Sequence, residues 1–529
     1  MGLCGSQAAR ADLAAERKAA ACSSTPSRPT GSTDILDESE SGASDEDDAF
    51  KHWADVSTEF SSRINHLILH TYGDVKTSYQ LSGKKLGEGG FGFVTEGKSL
   101  ETGNRYAMKK VSKAKAKMRR VQVRSEIDVM KLTDHPNVVA LHETFEDKGH
   151  IYLVLELCAG GDLGMHMQRQ GRPYSEHQAA ILMEQILKSV SYLHDCKGIC
   201  HRDLKLPNFL FLREAPVESN VLKLADFGLA CSFQPGQVLS SKVGTVLYCS
   251  PQVLGGVYDR SADLWSCGVI MYMLLGEDPP FPGKNDAEVA QRVRKGNYAF
   301  SDTIWSSVSQ EAKDLIRKLL KFQPFDRCTA LQARVHEWFT AAAPELRARP
   351  ALQAFVVPDL LRFSKRSYFQ RAALRAVAMQ VGQADIEKSW QHFQALDPKG
   401  HSVLALPDLQ ELMGLPELAD YAAELREVVA LLKGRPLGDD VISFTDFLAS
   451  ALRRLQCQDG LCHAAFRILD RDADGYIDAK ELGSILRRDG GQAEAPPEVL
   501  SAMLAEASGG GPVSYKDFVR FIHAAAKEA

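Results

Sequence analysis

The sequence predicts an α+β protein: a mixed unit of sheet and helix, followed by an all-α unit. Three observations carry that expectation. Strand-like stretches at Tyr79–Leu86, Tyr106–Lys109 and Ile151–Leu157 gather early in the chain, with the amphipathic stretch Val121–Leu132 among them. An apolar run, Leu264–Leu275, has the length of a buried helix and is too short to span a bilayer. Beyond residue 386 an even repeat places four loop starts, at Asp397, Arg435, Asp470 and Glu506, between helical patterns.

Bulk properties set the frame. A chain of 529 residues is long for one domain and suggests three or four units. Its 44% hydrophobic and 25% charged content is ordinary for a water-soluble globular protein. A net charge of −5 argues against a general affinity for nucleic acid. The 11 cysteines are scattered without metal-site spacing and no secretory signal precedes them, so reduced thiols in the cytoplasm are expected.

Residues 1–78 read as a largely disordered, acylated leader. Met1-Gly2-Leu3-Cys4-Gly5-Ser6 fits the pattern for myristoylation of Gly2, and Cys4 beside it offers a palmitoylation site. One myristoyl chain holds a membrane only marginally, so a second acyl group would make the attachment durable. The competing reading is a chance match in a disordered terminus. Asp34 to Asp48 gather eight carboxylates, the composition of a solvated spacer. Apolar residues resume from Phe50 to Leu69 and suggest a helix docking on the unit that follows.

The second unit carries the chemistry. His201-Arg202-Asp203-Leu204-Lys205-Leu206-Pro207-Asn208 sets a carboxylate, two cations and a carboxamide in one short loop. Phosphoryl transfer to a hydroxyl needs such a set: Asp203 to accept the hydroxyl proton, Asn208 to help hold magnesium, and Lys205 to sit against the γ-phosphate. Upstream, Gly87-Glu88-Gly89-Gly90-Phe91-Gly92-Phe93-Val94 follows a strand and lets backbone amides approach phosphate oxygens. Lys109 ends a short strand and can grip the α- and β-phosphates, with Glu126 placed to pair with it. Asp226-Phe227-Gly228 then supplies a second magnesium ligand, Asp226.

With these motifs in this order, residues 79–339 resemble the eukaryotic protein kinase domain, of the serine/threonine-specific kind by Lys205. The resemblance implies two lobes, the smaller an antiparallel sheet with one helix. It places Leu86, Gly87, Gly89, Gly92, Val94, Ala107 and Lys109 around ATP, Leu155 as gatekeeper, and backbone groups of Glu156 and Cys158 against adenine. Asp162 has two compatible readings, a contact to ribose or substrate and a helix N-cap. Ser232, Ser240, Ser241 and Thr245 lie in the activation segment, where Arg202 could pair with a phosphate. One departure stands out: Ser250-Pro251-Gln252 puts an amide where relatives have a carboxylate that pairs with an arginine, here Arg327.

Residues 340–385 form a linker and a basic junction. Arg362–Met379 interleaves Arg362, Lys365, Arg366, Arg371 and Arg375 with apolar residues and reads as one basic amphipathic helix, autoinhibitory by its position. An ordinary solvated helix is the alternative.

Residues 386–529 read as four EF-hand units in two paired lobes. Asp470, Asp472, Asp474, Tyr476, Asp478 and Glu481 occupy the six ligand positions of a twelve-residue calcium loop, with Gly475 at the turn. The other three loops are degenerate. Lys399 and His401, Arg435 and Leu437, and Gly510 and Asp517 stand where ligands belong, and cations or apolar groups cannot coordinate calcium. Hands pack in pairs through their eighth positions, which predicts Leu404 with Ile442 and Ile477 with Val513.

Together the units, over roughly residues 79–525, resemble the calcium-dependent protein kinases of plants and protists. The resemblance implies ATP, Mg2+ and Ca2+ as cofactors, protein serine/threonine substrates and an intramolecular junction helix that calcium-loaded hands grip, freeing the active site. Lipidation would add membrane contact. Two other readings stay open: an active kinase with a calcium-insensitive C-terminal module, and a calcium-responsive scaffold with an idle kinase fold.

Overall fold

The computed structural model describes residues 67–527, apart from 90–91, 117–119, 235, 302, 348–351, 398–399, 401–402, 434–440, 455–458 and 487–496. Gly2, Cys4 and the acidic spacer lie outside the described residues, as do Lys399, His401, Arg435 and Leu437.

A six-stranded sheet forms the small lobe. Its strands are β1 (Leu69–Tyr72), β2 (Tyr79–Gly89), β3 (Gly92–Ser99), β4 (Arg105–Ser112), β5 (Leu141–Glu146) and β6 (His150–Glu156), in the order β1-β5-β6-β4-β3-β2. Helix α1 (Arg120–Leu132) lies between β4 and β5 in the chain. Five strands pair antiparallel, but β1 adds to β5 in parallel, with Leu69 opposite Glu143. This corrects one expectation: the purely antiparallel sheet has a parallel edge strand, inside the segment assigned to the leader, while the helix expected from Phe50 falls, up to residue 66, outside the described residues. Polar side chains hid the strand: His70 Nδ1 meets Thr144 Oγ1 at 2.8 Å and His70 Nε2 meets Glu146 at 3.1 Å, contacts made only across the sheet.

The large lobe is helical. Helix α2 (Leu163–Gln170) is capped by Asp162, which accepts from Met165 N at 2.7 Å, so the N-cap reading of that residue is realised. Helix α3 (Glu176–Ser191) and α4 (Ser261–Gly276) form the core, and α4 is buried from Ala262 to Gly276. A helix so apolar all round belongs inside a lobe. Helices α5 (Gln310–Leu319) and α6 (Ala330–Arg334) complete the packing used below. The short strands β7 (Ile199–Cys200), β8 (Phe209–Phe211), β9 (Leu222–Leu224) and β10 (Cys231–Ser232) pair as β7 with β10 and β8 with β9, framing the catalytic loop.

The junction is not one helix but two, α7 (Val356–Lys365) and α8 (Tyr368–Ala378). The break falls at Ser367, whose hydroxyl accepts from Gln370 N while the Gln370 side chain accepts from Ser367 N, a capping box that starts a new helix. Two of its arginines are not solvated either. Arg375 is buried and its Nε pairs with Asp446, while Arg371 is buried with its guanidinium over the Tyr368 ring.

The C-terminal unit closes around these two helices. Helices α9 (Gln383–Gln394), α10 (Leu406–Leu412), α11 (Ala422–Lys433) and α12 (Phe444–Ser450) build the first lobe, with β11 (Val403–Ala405) and β12 (Val441–Ser443). Helices α13 (Asp459–Leu469), α14 (Ala479–Leu486), α15 (Pro497–Ser508) and α16 (Tyr515–Lys527) build the second, with β13 (Tyr476–Ile477) and β14 (Val513–Ser514). Leu404 faces Ile442 and Ile477 faces Val513 across antiparallel bridges, the pairs expected of eighth loop positions. Val356, Val357 and Leu360 of α7 enter the core of the first lobe. Phe369, Ala373 and Val377 of α8 enter that of the second, beside Phe466, Phe518 and Ile522. The junction is therefore held by the hands here.

Candidate phosphoryl-transfer and calcium sites

The nucleotide cleft starts at the turn between β2 and β3. A Cβ on Gly87 would meet no atom within 4 Å, so the glycine there leaves space that the protein itself does not fill. Gly92 is different: its Cβ would lie 1.8 Å from the Lys110 carbonyl oxygen, so close passage of β3 over β4 demands glycine. Gly89 ends β2 and Leu86 is exposed just before Gly87. Val94 sits opposite Lys109, and Ala107 opposite Leu155. Glu156 ends β6, with its N–H donating to Ala140 O at 2.9 Å and its carboxylate 2.7 Å from Lys223. Cys158 follows, and burial pushes its thiol up, away from the thiolate.

Lys109 Nζ lies 2.5 Å from Glu126 Oε1 and 3.8 Å from Asp226 Oδ1. Glu126 is buried and the Lys109 side chain is 20% exposed, and such a pair fixes the ammonium at one point in the cleft. Burial works against ionisation of Asp226, but Lys109, His201 and Lys205 outweigh it and hold the carboxyl below its ordinary range. Asp226 stands at φ 67° and Arg202 at φ 66°, left-handed values that cost a non-glycine residue about 1–3 kcal/mol unless the surroundings impose them.

The surroundings of Arg202 do. Asp263, buried in the first turn of α4, accepts from His201 N at 2.8 Å and Arg202 N at 2.9 Å, and bonds His194 Nε2 at 2.8 Å. The Arg202 guanidinium donates to Leu229 O at 2.6 Å and reaches Tyr258 Oη at 3.4 Å, bonds that tie the activation segment to the catalytic loop without a phosphate. Asp203 Oδ2 takes Lys205 Nζ at 2.7 Å, and Asn208 Nδ2 donates to Asp203 O at 2.8 Å. Asp203 Oδ1 accepts from Thr245 N at 3.0 Å and from Thr245 Oγ1 at 2.9 Å, while Lys205 reaches that hydroxyl at 3.1 Å. Sequence reasoning had Thr245 only as one of several hydroxyls. Its bond to Asp203 joins positions 42 residues apart, which no local pattern reveals.

Gln252 meets Arg327 as expected, Nη2 to Oε1 at 3.1 Å. The buried guanidinium also donates to Ser261 O at 2.7 Å and Lys321 O at 3.0 Å, so carbonyl dipoles do what a carboxylate would. Burial still depresses its pKa to about 10.

The second site is the loop from Asp470 to Glu481. Oxygens of Asp470, Asp472 and Glu481 lie within 4.8 Å of one another. Backbone donors pin them: Gly475 N to Asp470 Oδ2 at 3.1 Å, Arg471 N to Glu481 Oε1 at 2.6 Å, and Tyr476 N to Asp474 Oδ1 at 2.8 Å. Asp478 and Glu481 bond each other's N–H at 3.0 and 2.8 Å. Burial, aided by neighbouring carboxylates, raises Asp470 and Glu481 above their ordinary range, as expected of like charges gathered for a cation. The set of hard oxygens fits Ca2+. The fourth loop has turned to other uses, its Asp517 bonding Ser514 Oγ at 2.7 Å and Arg520 at 2.9 Å.

Comparison with known proteins gives matches to both units. A family model described as a protein kinase domain matches residues 80–339, and one described as an EF-hand domain matches residues 461–491. "Calcium-dependent protein kinase 5" of Plasmodium falciparum is 34% identical over 468 residues, covering 87% of this chain and 81% of the relative. "Calcium-dependent protein kinase 3" of Plasmodium berghei is 36% identical over 434 residues, covering 81% and 76%. "Calcium-dependent protein kinase 17" of Arabidopsis thaliana is 34% identical over 455 residues, covering 84% and 83%.

Proposed function

Since the chain belongs to the calcium-dependent protein kinases, we propose that the two sites act as one machine, a calcium-regulated transfer of the ATP γ-phosphate to serine or threonine of a protein. The observation that carries the chemistry is the Lys109–Glu126 pair, with Asp226 at its edge. When bound, Mg2+ neutralises phosphate charge, and Asn208 and Asp226 are the residues that would hold it. Lys109 orients the α- and β-phosphates. Asp203 orients the substrate hydroxyl and takes its proton, and Lys205 faces the transferring group. Thr245 holds the carboxylate of Asp203 in place and so is a positioning residue. Loss of transfer to a serine peptide in Asp203→Asn, with ATP binding intact, supports these roles; an equally active variant overturns them.

Regulation runs through the second lobe of hands. Glu481 and its neighbours set the entry and exit helices α13 and α14, whose apolar faces share a core with α8. Three loops without a ligand set favour a second reading, in which the C-terminal unit is a calcium-insensitive module; the response of Glu481→Gln separates the two.

The chain's cytoplasmic, membrane-associated location is part of the same proposal and rests on Gly2 and Cys4. Incorporation of a myristate analogue that Gly2→Ala abolishes supports it, and no incorporation in the wild type refutes it. Among the described residues no helix is long and apolar enough to cross a membrane.

A further inference from the structure

The first lobe of hands has no complete set of calcium ligands, yet it sits on the kinase through a built surface that spans the segment between α1 and β5 and the large lobe. The contact centres on Asp134 and His135, which follow α1, and on Lys188 and Arg334 of α3 and α6. Asp134 Oδ2 accepts from Thr445 N at 3.0 Å, so a kinase carboxylate satisfies a free donor in the first turn of α12. Trp390 of α9 lies over His135, ring centroids 6.4 Å apart. Asn137 N donates to His135 Nδ1 at 2.9 Å, which leaves the ring proton on the buried Nε2. On the flank of α9, Glu387 pairs with Arg213.

The tip of the first loop is the tightest point. Gly400 stands at φ 62°, and a Cβ there would come within 2.7 Å of Arg334 Nη2 and 2.9 Å of Lys188 Cε. Asp397, first position of that loop, is buried, and its charge acts on the Lys188 ammonium. Buried Glu184 holds both cations, Arg334 Nη2 at 3.1 Å and Lys188 Nζ at 3.6 Å, so a charge-paired cluster of the kinase packs against the backbone of this loop.

We propose that the first pair of hands has become a calcium-independent anchor on the kinase, held by Asp134 and His135 and by the Glu184–Lys188–Arg334 cluster against its first loop. The third hand is then the part that reads calcium, in a C-terminal unit that never leaves the kinase. This anchor belongs to the regulatory role assigned above, but its test reads docking and not phosphoryl transfer, so either can fail alone.

The test is hydrogen–deuterium exchange on the full chain, in chelator and in calcium, following residues 133–137 and 383–400. The anchor predicts the same protection in both conditions. It also predicts that Lys188→Glu raises exchange in both segments about tenfold or more. Should that variant fold poorly, the exposed pair gives a second route: Arg213→Glu and Glu387→Arg each loosen α9, and together they restore it. Equilibrium dialysis with calcium, at fixed magnesium, should find one ion per chain, on the ligand count of the loops. Protection that appears only with calcium, exchange unmoved by both single swaps, or a second ion that Asp397→Asn removes would overturn the proposal.

Discussion

Arg467 offers a test of how the calcium-binding lobe is wired to the kinase small lobe. It lies on α13, three residues before Asp470, and its guanidinium donates to Ser78 Oγ at 3.0 Å and to Glu143 Oε1 at 3.3 Å. Glu143 is buried in β5 and also accepts from the Tyr79 hydroxyl. Arg467→Met keeps the aliphatic stem and removes the cation. Breaking a fully buried pair costs about 3–5 kcal/mol. The Arg467 side chain is 37% exposed, so solvent screens its share, and about 1–2 kcal/mol is the expected loss at neutral pH. For domains of this size that lowers Tm by about 2–6 °C.

The pH dependence is the sharper readout. Burial raises the Glu143 carboxyl above its ordinary value of 4.5, with Arg467 pulling the other way. A carboxyl with a raised folded pKa favours folding when protonated. Its contribution is fully present below the unfolded value and is lost as pH rises through the folded one. Without Arg467 the folded value climbs further, so the deficit of the variant should be full near about pH 7.5 and shrink towards about pH 5 as Glu143 takes up a proton. Calorimetry in chelator, wild type against variant at both pH values, decides. An equal deficit at both, or none, would refute the ion-pair reasoning.

Three further outcomes follow from the same geometry. Lys109→Met should cut the transfer rate about a hundredfold or more in single-turnover assays and also lower Tm, because it removes a positioned charge from the cleft and leaves the buried Glu126 carboxylate without its cation. Gly92→Ala should lower Tm through a clash with Lys110 O costing about 1–3 kcal/mol, whereas Gly87→Ala should leave Tm unchanged and raise the KM for ATP; equal effects in calorimetry would contradict the distinction. Gln252→Glu should raise Tm by a few degrees, about 1 kcal/mol, since a carboxylate offsets the burial of Arg327 but loses the bond of Gln252 Nε2 to Phe322 O at 2.6 Å; a lower Tm would show that the amide is the better partner.

Much of this was legible in the chain because the chemistry is local. Asp470 to Glu481 is one loop of twelve residues, and the eighth-position pairs Leu404–Ile442 and Ile477–Val513 follow from the repeat alone. The contacts of Asp203 with Lys205 and Asn208 fall within six residues of sequence. What stayed hidden depends on distant partners. Leu69–Tyr72 reads as a strand only beside β5, and Arg371 and Arg375 look like solvated cations until Tyr368 and Asp446 are placed against them. The break at Ser367 was written locally, in the Ser367–Gln370 capping box, but the longer basic and apolar alternation across it outweighed that cue. Gly400 carried no signal at all, since its crowding comes from Lys188 and Arg334.

The most direct test of calcium control is phosphorylation of a basic serine peptide by the full chain in excess magnesium, with and without free calcium, for wild type and Glu481→Gln. Glu481 bonds Arg471 N and Asp478 N and closes the ligand set, and the amide keeps its shape while removing its charge. Stimulation by calcium in the wild type that the variant loses is the predicted result. Equal activity in all four conditions would contradict calcium control and leave a constitutively active kinase.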